Sequence, residues 1–112
     1  MALTAIIALV SPAASSWAAD NDEAAQQFLI YCSKCHGADG HGDGPDSATL
    51  KTKPRNFTDC ARMSKISDDV IFHAIKDGGA SVNLSADMPS WTKAFEDSEI
   101  QGLVKYVHGL KG

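Results

Sequence analysis

The chain has 112 residues, 44% of them hydrophobic, and its 10 basic and 14 acidic residues leave a formal net charge of −4. A chain of this length forms one small domain with a thin core. The acidic balance argues against nucleic acid as a partner, because a phosphate backbone selects positively charged surfaces.

The first segment of the chain is apolar. Residues 1–18 carry no charged side chain, and Asp20 is the first. The run is too short to span a bilayer, and Ser16 and Ala18 satisfy the small-residue rule for cleavage after Ala18. A basic residue before the apolar stretch is missing, so an uncleaved anchor or a buried helix is the alternative. We predict a signal peptide over 1–18, export to the periplasm, a domain over 19–112 and no stable membrane anchor.

The next predicted element is a helix. Helix-forming residues with apolar side chains on one face cover residues 22–31 and run directly into the motif Cys32-Ser33-Lys34-Cys35-His36. Side chains three and four residues apart share one face of a helix, so Cys32 would face the same way as Cys35 and His36. Two thiols at this spacing can add across the two vinyl groups of a haem, while the imidazole offers a nitrogen to the iron. The motif therefore predicts one haem c, attached covalently through Cys32 and Cys35, with His36 as an iron ligand.

Three other kinds of site use the same residue types. A thioredoxin-like dithiol needs a β-α-β context, and nothing before Cys32 reads as a strand. A structural zinc site needs a second ligand pair, whereas His41, Cys60 and His73 stand apart in the sequence. A disulfide between Cys32 and Cys35 would close a tight loop with no evident use. Covalent haem is the favoured interpretation.

The middle of the chain is predicted to be mostly loop. Residues 37–45 contain four glycines and a proline and cannot continue a helix. Residues 51–65 hold half of the basic residues and a single acid, Asp59; the basic ones are Lys51, Lys53, Arg55, Arg62 and Lys65. We predict that this basic segment docks an acidic redox partner, although a solvated loop explains the same charges.

Two further helices are predicted after this loop. Ser67 is a good N-cap for a short helix over residues 68–76, which the Gly-Gly pair at 78–79 ends. The Ser-Glu-Ile-Gln pattern at 98–101 is typical of a capping box, and apolar residues then recur at helical spacing until residues 109–112. No segment reads as a strand.

Over about residues 21–110 the chain resembles the class I cytochromes c. The resemblance lies in the order of its features, which are a helix, the C-x-x-C-H motif, a Gly/Pro loop, a late Met88-Pro89 and an amphipathic last helix. The resemblance implies an all-α fold, a small cytochrome c fold of about three to four helices wrapped around one covalently attached haem. It also implies that the first and last helices cross near the haem edge, where Phe28 and Tyr106 could pack.

The same resemblance makes Met88 the second axial ligand of the iron. A thioether is soft and neutral, and Pro89 stiffens the loop that carries it. The alternative for Met88 is a methionine that fills the core. Met63 is a weaker candidate ligand, because the charged residues around it suggest a wet surface.

Other haem contacts are also implied by the resemblance. Pro45 matches the proline whose carbonyl accepts a hydrogen bond from the second nitrogen of the proximal histidine, here His36. Arg55, Asn56 and Trp91 are candidates for contacts to the haem propionates, since a buried carboxylate needs a charged or hydrogen-bonding partner. The alternatives are an ordinary turn proline at Pro45, a solvated surface at Arg55 and core packing at Trp91.

Cys60 leaves an odd number of cysteines in a chain that we expect to be exported. A buried inert thiol is the favoured interpretation, because free cysteine behaves as a small hydrophobic residue. A disulfide to another chain, in a dimer or a larger complex, is the second. The third is an axial thiolate to the iron, which some relatives of the resembled family use and which would lower the reduction potential.

These features together predict a periplasmic electron carrier and not an enzyme. One haem c with His36 and Met88 as iron ligands would shuttle one electron at a time between redox complexes and transform no substrate. The rival hypothesis is a ligand-binding or low-potential haem subunit of a larger complex, with Cys60 as the sixth iron ligand.

Overall fold

The computed structural model of the chain describes residues 2–9 and 16–111. Within these ranges the chain is helical and has no β-strand, which confirms the predicted all-α fold. The α-helices are α1 (Ser16–Gln27), α2 (Ser33–His36), α3 (Cys60–Met63), α4 (Asp68–Asp77) and α5 (Asp97–Gly109). None of the helices in these ranges is long and apolar enough to cross a membrane.

The N-terminal residues differ from the prediction in one respect. Residues 2–9 are exposed and belong to no helix, and α1 already begins at Ser16, before the predicted start at residue 22. The alanine-rich sequence around residues 18–25 favours helix, which accounts for the earlier start. The predicted signal peptide over 1–18 lies partly outside the described residues.

The join between α1 and α2 is a π-helical turn over Phe28–Cys32. In this turn the Ser33 N–H donates to the Phe28 carbonyl, a bond between residues five apart. Such turns add one residue to a helix and occur often at functional sites. Cys32 therefore ends the π turn, while Cys35 and His36 belong to α2, so the motif does not continue the register of α1.

The predicted N-cap of α4 and the glycine that ends it are confirmed, although the helix runs one residue further than predicted, to Asp77. The Val70 N–H donates to Ser67 Oγ at 3.2 Å, and Gly78 follows the last residue of the helix with φ +92°. The predicted capping box of α5 is wrong, because Glu96 and not Ser98 is the N-cap. The Glu96 N–H donates to Glu99 Oε1 at 3.0 Å, and acidic side chains in the first turn suit the helix dipole.

The hydrophobic core lies where α1, α4 and α5 meet. Its buried members are Ala24, Phe28, Met63, Ile71, Ile75, Phe95, Ile100, Leu103, Val104 and Val107. At the crossing of α1 and α5, a Cβ on Gly102 would lie 3.8 Å from the Ala24 Cβ. The rings of Phe28 and Tyr106 have centroids 5.2 Å apart, which confirms the contact predicted between these residues.

Met63 corrects the expectation of a wet surface around α3. Its side chain is 1% exposed and belongs to the core. Asp59 caps the helix, its Oδ1 accepting the Arg62 N–H at 3.1 Å, and both charged residues are exposed. A single helical turn can thus bury one side chain while its charged neighbours stay in water, which local composition does not reveal.

Replacing Phe28 by Ala should lower the free energy of unfolding by about 3–5 kcal/mol, because a buried ring is lost and the cavity collapses only in part. Leu29 is the next residue but is 49% exposed, so Leu29→Ala should cost less than about 1 kcal/mol. Urea denaturation followed by circular dichroism measures both. Equal losses would contradict the placement of Phe28 in the core.

Candidate functional site

The C-x-x-C-H segment is held by the glycine loop that follows it. The Gly42 N–H donates to the His36 carbonyl at 2.7 Å, and the Gly44 N–H donates to the Cys35 carbonyl at 3.1 Å. These bonds satisfy the last carbonyls of α2, which have no partner within so short a helix. At Gly44 a side chain would collide with the Lys34 carbonyl, so the loop can approach this closely only with glycine.

The two motif thiols have different surroundings. Cys32 packs against the core, and burial raises the pKa of its thiol to about 11, with a further rise from Cys35. Desolvation also raises the pKa of Cys35, as do the nearby carboxylates of Asp46 and Asp87. A thioredoxin-like dithiol needs a lowered thiol pKa, so the opposite direction here argues against that interpretation.

His36 is oriented by two contacts from the loop segment 55–57. Its Nδ1 lies 3.3 Å from the Arg55 carbonyl oxygen, and its ring stacks on Phe57 with centroids 4.4 Å apart and planes at 19°. Burial lowers the pKa of His36, and the contact with the Arg55 carbonyl opposes this shift in part. A neutral ring whose Nδ1–H donates to this carbonyl keeps the lone pair of Nε2 for a metal ion.

Pro45 was predicted to provide the carbonyl beside His36, and this is corrected by the structure. The carbonyl belongs to Arg55, and Pro45 is an exposed residue of the glycine loop. Arg55 is brought to this position because the Phe57 N–H donates to the Gly40 carbonyl at 2.7 Å, which pulls the chain back across the loop. Sequence reasoning had no signal for this contact, since every residue carries a backbone carbonyl.

Met88 lies in the segment between α4 and α5. It is partly buried and packs against the core together with Cys32, Phe57 and Trp91. Its neighbour Asp87 is close enough to Cys35 to raise the pKa of that thiol. Two thiols, a neutral imidazole and a thioether form a donor set that fits a c-type haem.

Zinc is a poorer fit to these residues. Among the described residues, no group of three or more His, Cys, Asp or Glu side chains is placed to hold a metal ion. A structural zinc site needs four such ligands.

The residues predicted to contact haem propionates have other partners here. The Trp91 ring packs against Tyr31 and Phe95, with centroids 5.7 and 6.1 Å away, so core packing accounts for part of its burial. Arg55 is partly buried and Asn56 is exposed. Contacts of Arg55, Asn56 and Trp91 to propionates stay predictions.

Cys60 is exposed at the start of α3, so the prediction of a buried thiol is wrong. Its Sγ lies 3.9 Å from Ser64 Oγ on the same short helix. The first residue of a helical turn has few neighbours, whereas Met63 at the end of this turn takes the core position. Partnership with another chain and ligation of the iron stay open for Cys60.

The solved structures similar to this chain include a c-type cytochrome and a chain of a protein complex. It is 28% identical to the KustC0563 c-type cytochrome, with a TM-score of 0.64 over 80% of this chain and 98% of that chain. It is 25% identical to a chain of the Kuenenia stuttgartiensis reducing HAO-like protein complex Kustc0457/Kustc0458, with a TM-score of 0.66 over 84% of this chain. The matched region is 44% of that second chain. No curated protein matches significantly.

Residues 19–107 match a family model described as "Cytochrome C oxidase, cbb3-type, subunit III". The match covers most of the chain and includes every helix from α2 to α4 together with the motif. A cytochrome c family implies a covalently bound c-type haem and supports haem-based electron transfer. The chain therefore belongs to the cytochrome c family described as cytochrome c oxidase, cbb3-type, subunit III.

Proposed function

We propose that this chain carries one haem c, attached through Cys32 and Cys35, and transfers single electrons between larger redox complexes. The observation that carries the proposal is the position of Met88. Met88 is partly buried and packs against the same core cluster as Cys32. The next residue in the chain before it, Asp87, carries a carboxylate that raises the pKa of Cys35. Membership of a cytochrome c family implies a covalently bound haem, and the c-type cytochrome among the similar structures supports a role in electron transfer.

In this proposal His36 and Met88 would be the two protein ligands of the haem iron. His36 supplies its Nε2, and the Arg55 carbonyl accepts the Nδ1 proton, which orients the ring and strengthens its donor nitrogen. Met88 supplies a neutral sulfur, which favours ferrous iron and raises the reduction potential. The bound haem would supply the one-electron chemistry. Two protein ligands leave little room for an exogenous ligand, so no substrate is transformed.

We also propose export to the periplasm after cleavage of residues 1–18. The family match begins at residue 19, next to the predicted cleavage site after Ala18. Haem is attached to such motifs outside the cytoplasm, so export and the motif support each other.

A second candidate function is a ligand-binding or low-potential haem subunit of a larger complex. One similar structure is part of a protein complex, and this chain corresponds to less than half of that complex's matched chain. In this candidate Cys60, which is exposed, either pairs with another subunit or supplies the sixth iron ligand in place of Met88.

Met88→Ala and Cys60→Ala distinguish the two functions. Loss of the thioether should remove the absorption band near the red end that reports Met–iron bonding, allow the reduced protein to bind carbon monoxide, and lower the potential. Cys60→Ala should leave the spectrum and potential unchanged and cost less than about 1 kcal/mol, because the side chain is exposed. A large spectral change in Cys60→Ala with none in Met88→Ala would reverse the ligand assignment.

Replacing Cys32 or Cys35 by Ser should leave one thioether bond, so acid and organic solvent should extract haem more easily than from the wild type. The double variant should give little folded protein, because a thin core loses its central ligand. Cys60→Ser is the matched control and should retain haem as the wild type does. A stable, helical, haem-free double variant would contradict the idea that haem organises the fold.

The basic segment is tested by charge reversal at Lys51 and Lys53, which are both exposed. If this segment guides docking to an acidic redox partner, Lys51→Glu with Lys53→Glu should slow electron transfer more at low than at high ionic strength. Lys93→Glu with Lys111→Glu changes the net charge equally at exposed positions outside the segment. Equal slowing by both pairs would mean that only net charge matters.

A further inference from the structure

The C-terminus of α4 leaves carbonyl groups that the helix itself does not satisfy. The last carbonyls of any α-helix lack a partner within the helix. In many helices a following glycine in the left-handed helical region folds the chain back to satisfy them. Gly78 has φ +92° and ψ 159° instead, so the chain leaves α4 in an extended direction. The carbonyls of Ile75 and Lys76 then need donors from elsewhere.

The segment that follows Met88 provides these donors. The Trp91 N–H donates to the Ile75 carbonyl at 2.9 Å. Ser90 Oγ donates to the Lys76 carbonyl in a short hydrogen bond. One backbone bond and one side-chain bond thus attach the residues directly after Met88-Pro89 to the end of α4.

A third bond attaches Met88 itself. The Gly79 N–H donates to the Met88 carbonyl at 3.0 Å. A Cβ on Gly79 would collide with the Ser85 carbonyl and lie 3.1 Å from the Met88 Cβ. Gly79 is therefore required for close approach of two backbone segments, since a side chain there would push Met88 away from α4.

We propose that Ser90 and Gly79 are positioning residues that hold the Met88 thioether at the iron. This inference rests on the proposed function, in which Met88 is the sixth ligand. Pro89 fixes its own φ, so the bonds on either side of it restrict how far the Met88 backbone can swing. Departure of the sulfur then requires either a side-chain rotation alone or the breaking of these bonds. Weakening the bonds should favour states in which Met88 is displaced.

The test measures displacement of Met88 in the oxidised, haem-loaded protein. Imidazole competes with the thioether for ferric iron, and the absorption band near the red end reports the remaining Met–iron bonding. Ser90→Ala removes the bond to the Lys76 carbonyl and a longer one that Ser90 Oγ accepts from the Thr92 N–H at 3.4 Å. Loss of the bond to α4 should make the apparent affinity for imidazole about two- to tenfold higher in this variant. Ser90→Thr keeps the hydroxyl group and should restore an affinity close to that of the wild type.

Ser64→Ala is the matched control. Ser64 Oγ also donates to a backbone carbonyl, that of Cys60 at 2.6 Å, but on α3 and not on the Met88 loop. It removes the same type of bond and should leave imidazole affinity unchanged. Gly79→Ala should raise the affinity more than Ser90→Ala does; where this variant fails to fold, Ser90→Ala decides alone.

The outcomes separate this inference from the proposed function. If Met88→Ala removes the red band and Ser90→Ala binds imidazole more tightly than Ser64→Ala, the positioning role is supported. If Met88→Ala removes the band but Ser90→Ala and Ser64→Ala bind imidazole equally, Met88 is the ligand and the positioning role is overturned. If Met88→Ala keeps the band, the ligand assignment fails, and the positioning role with it.

Discussion

The close crossing of α1 and α5 is the contact on which the rest of the molecule depends. At this crossing Gly102 faces Ala24, where even an added Cβ would stay 3.8 Å from the Ala24 Cβ, and Phe28 packs on Tyr106 beside this point. A domain this small has few other buried side chains to set the direction of its helices. Because the π turn that begins at Phe28 ends at Cys32, the crossing also holds the first motif cysteine against the core.

Unsatisfied helix carbonyls explain how the two proposed ligand segments are held without any strand in the described part of the chain. At the end of α2, the glycine loop donates N–H groups to the His36 and Cys35 carbonyls. At the end of α4, the segment after Met88 donates to the Ile75 and Lys76 carbonyls. In both places a short helix leaves acceptors that a neighbouring loop must meet. Backbone chemistry therefore positions side chains that lie far apart in the sequence.

Three errors of the sequence-based predictions share one cause. The Ser98 capping box, the wet surface at Met63 and the buried thiol at Cys60 were all judged from local patterns. A capping pattern can occur at more than one position, and here the reciprocal bonds of Glu96 and Glu99 place the N-cap two residues before Ser98. A helix of one turn, such as α3, is too short to show a period. Its buried face is decided by what packs against it.

The sequence by itself determined the helical class, the C-x-x-C-H motif and the cap of α4 at Ser67, because residue type and spacing carry each of these signals. The contact between Phe28 and Tyr106 was implied by the resemblance to the class I cytochromes c. Only the tertiary structure decided that the Arg55 carbonyl accompanies His36 in place of Pro45, and that the Met88 loop is tied to α4. Those contacts are made largely by backbone groups, which every residue shares. Which of them meet depends on how the loops fold around the core.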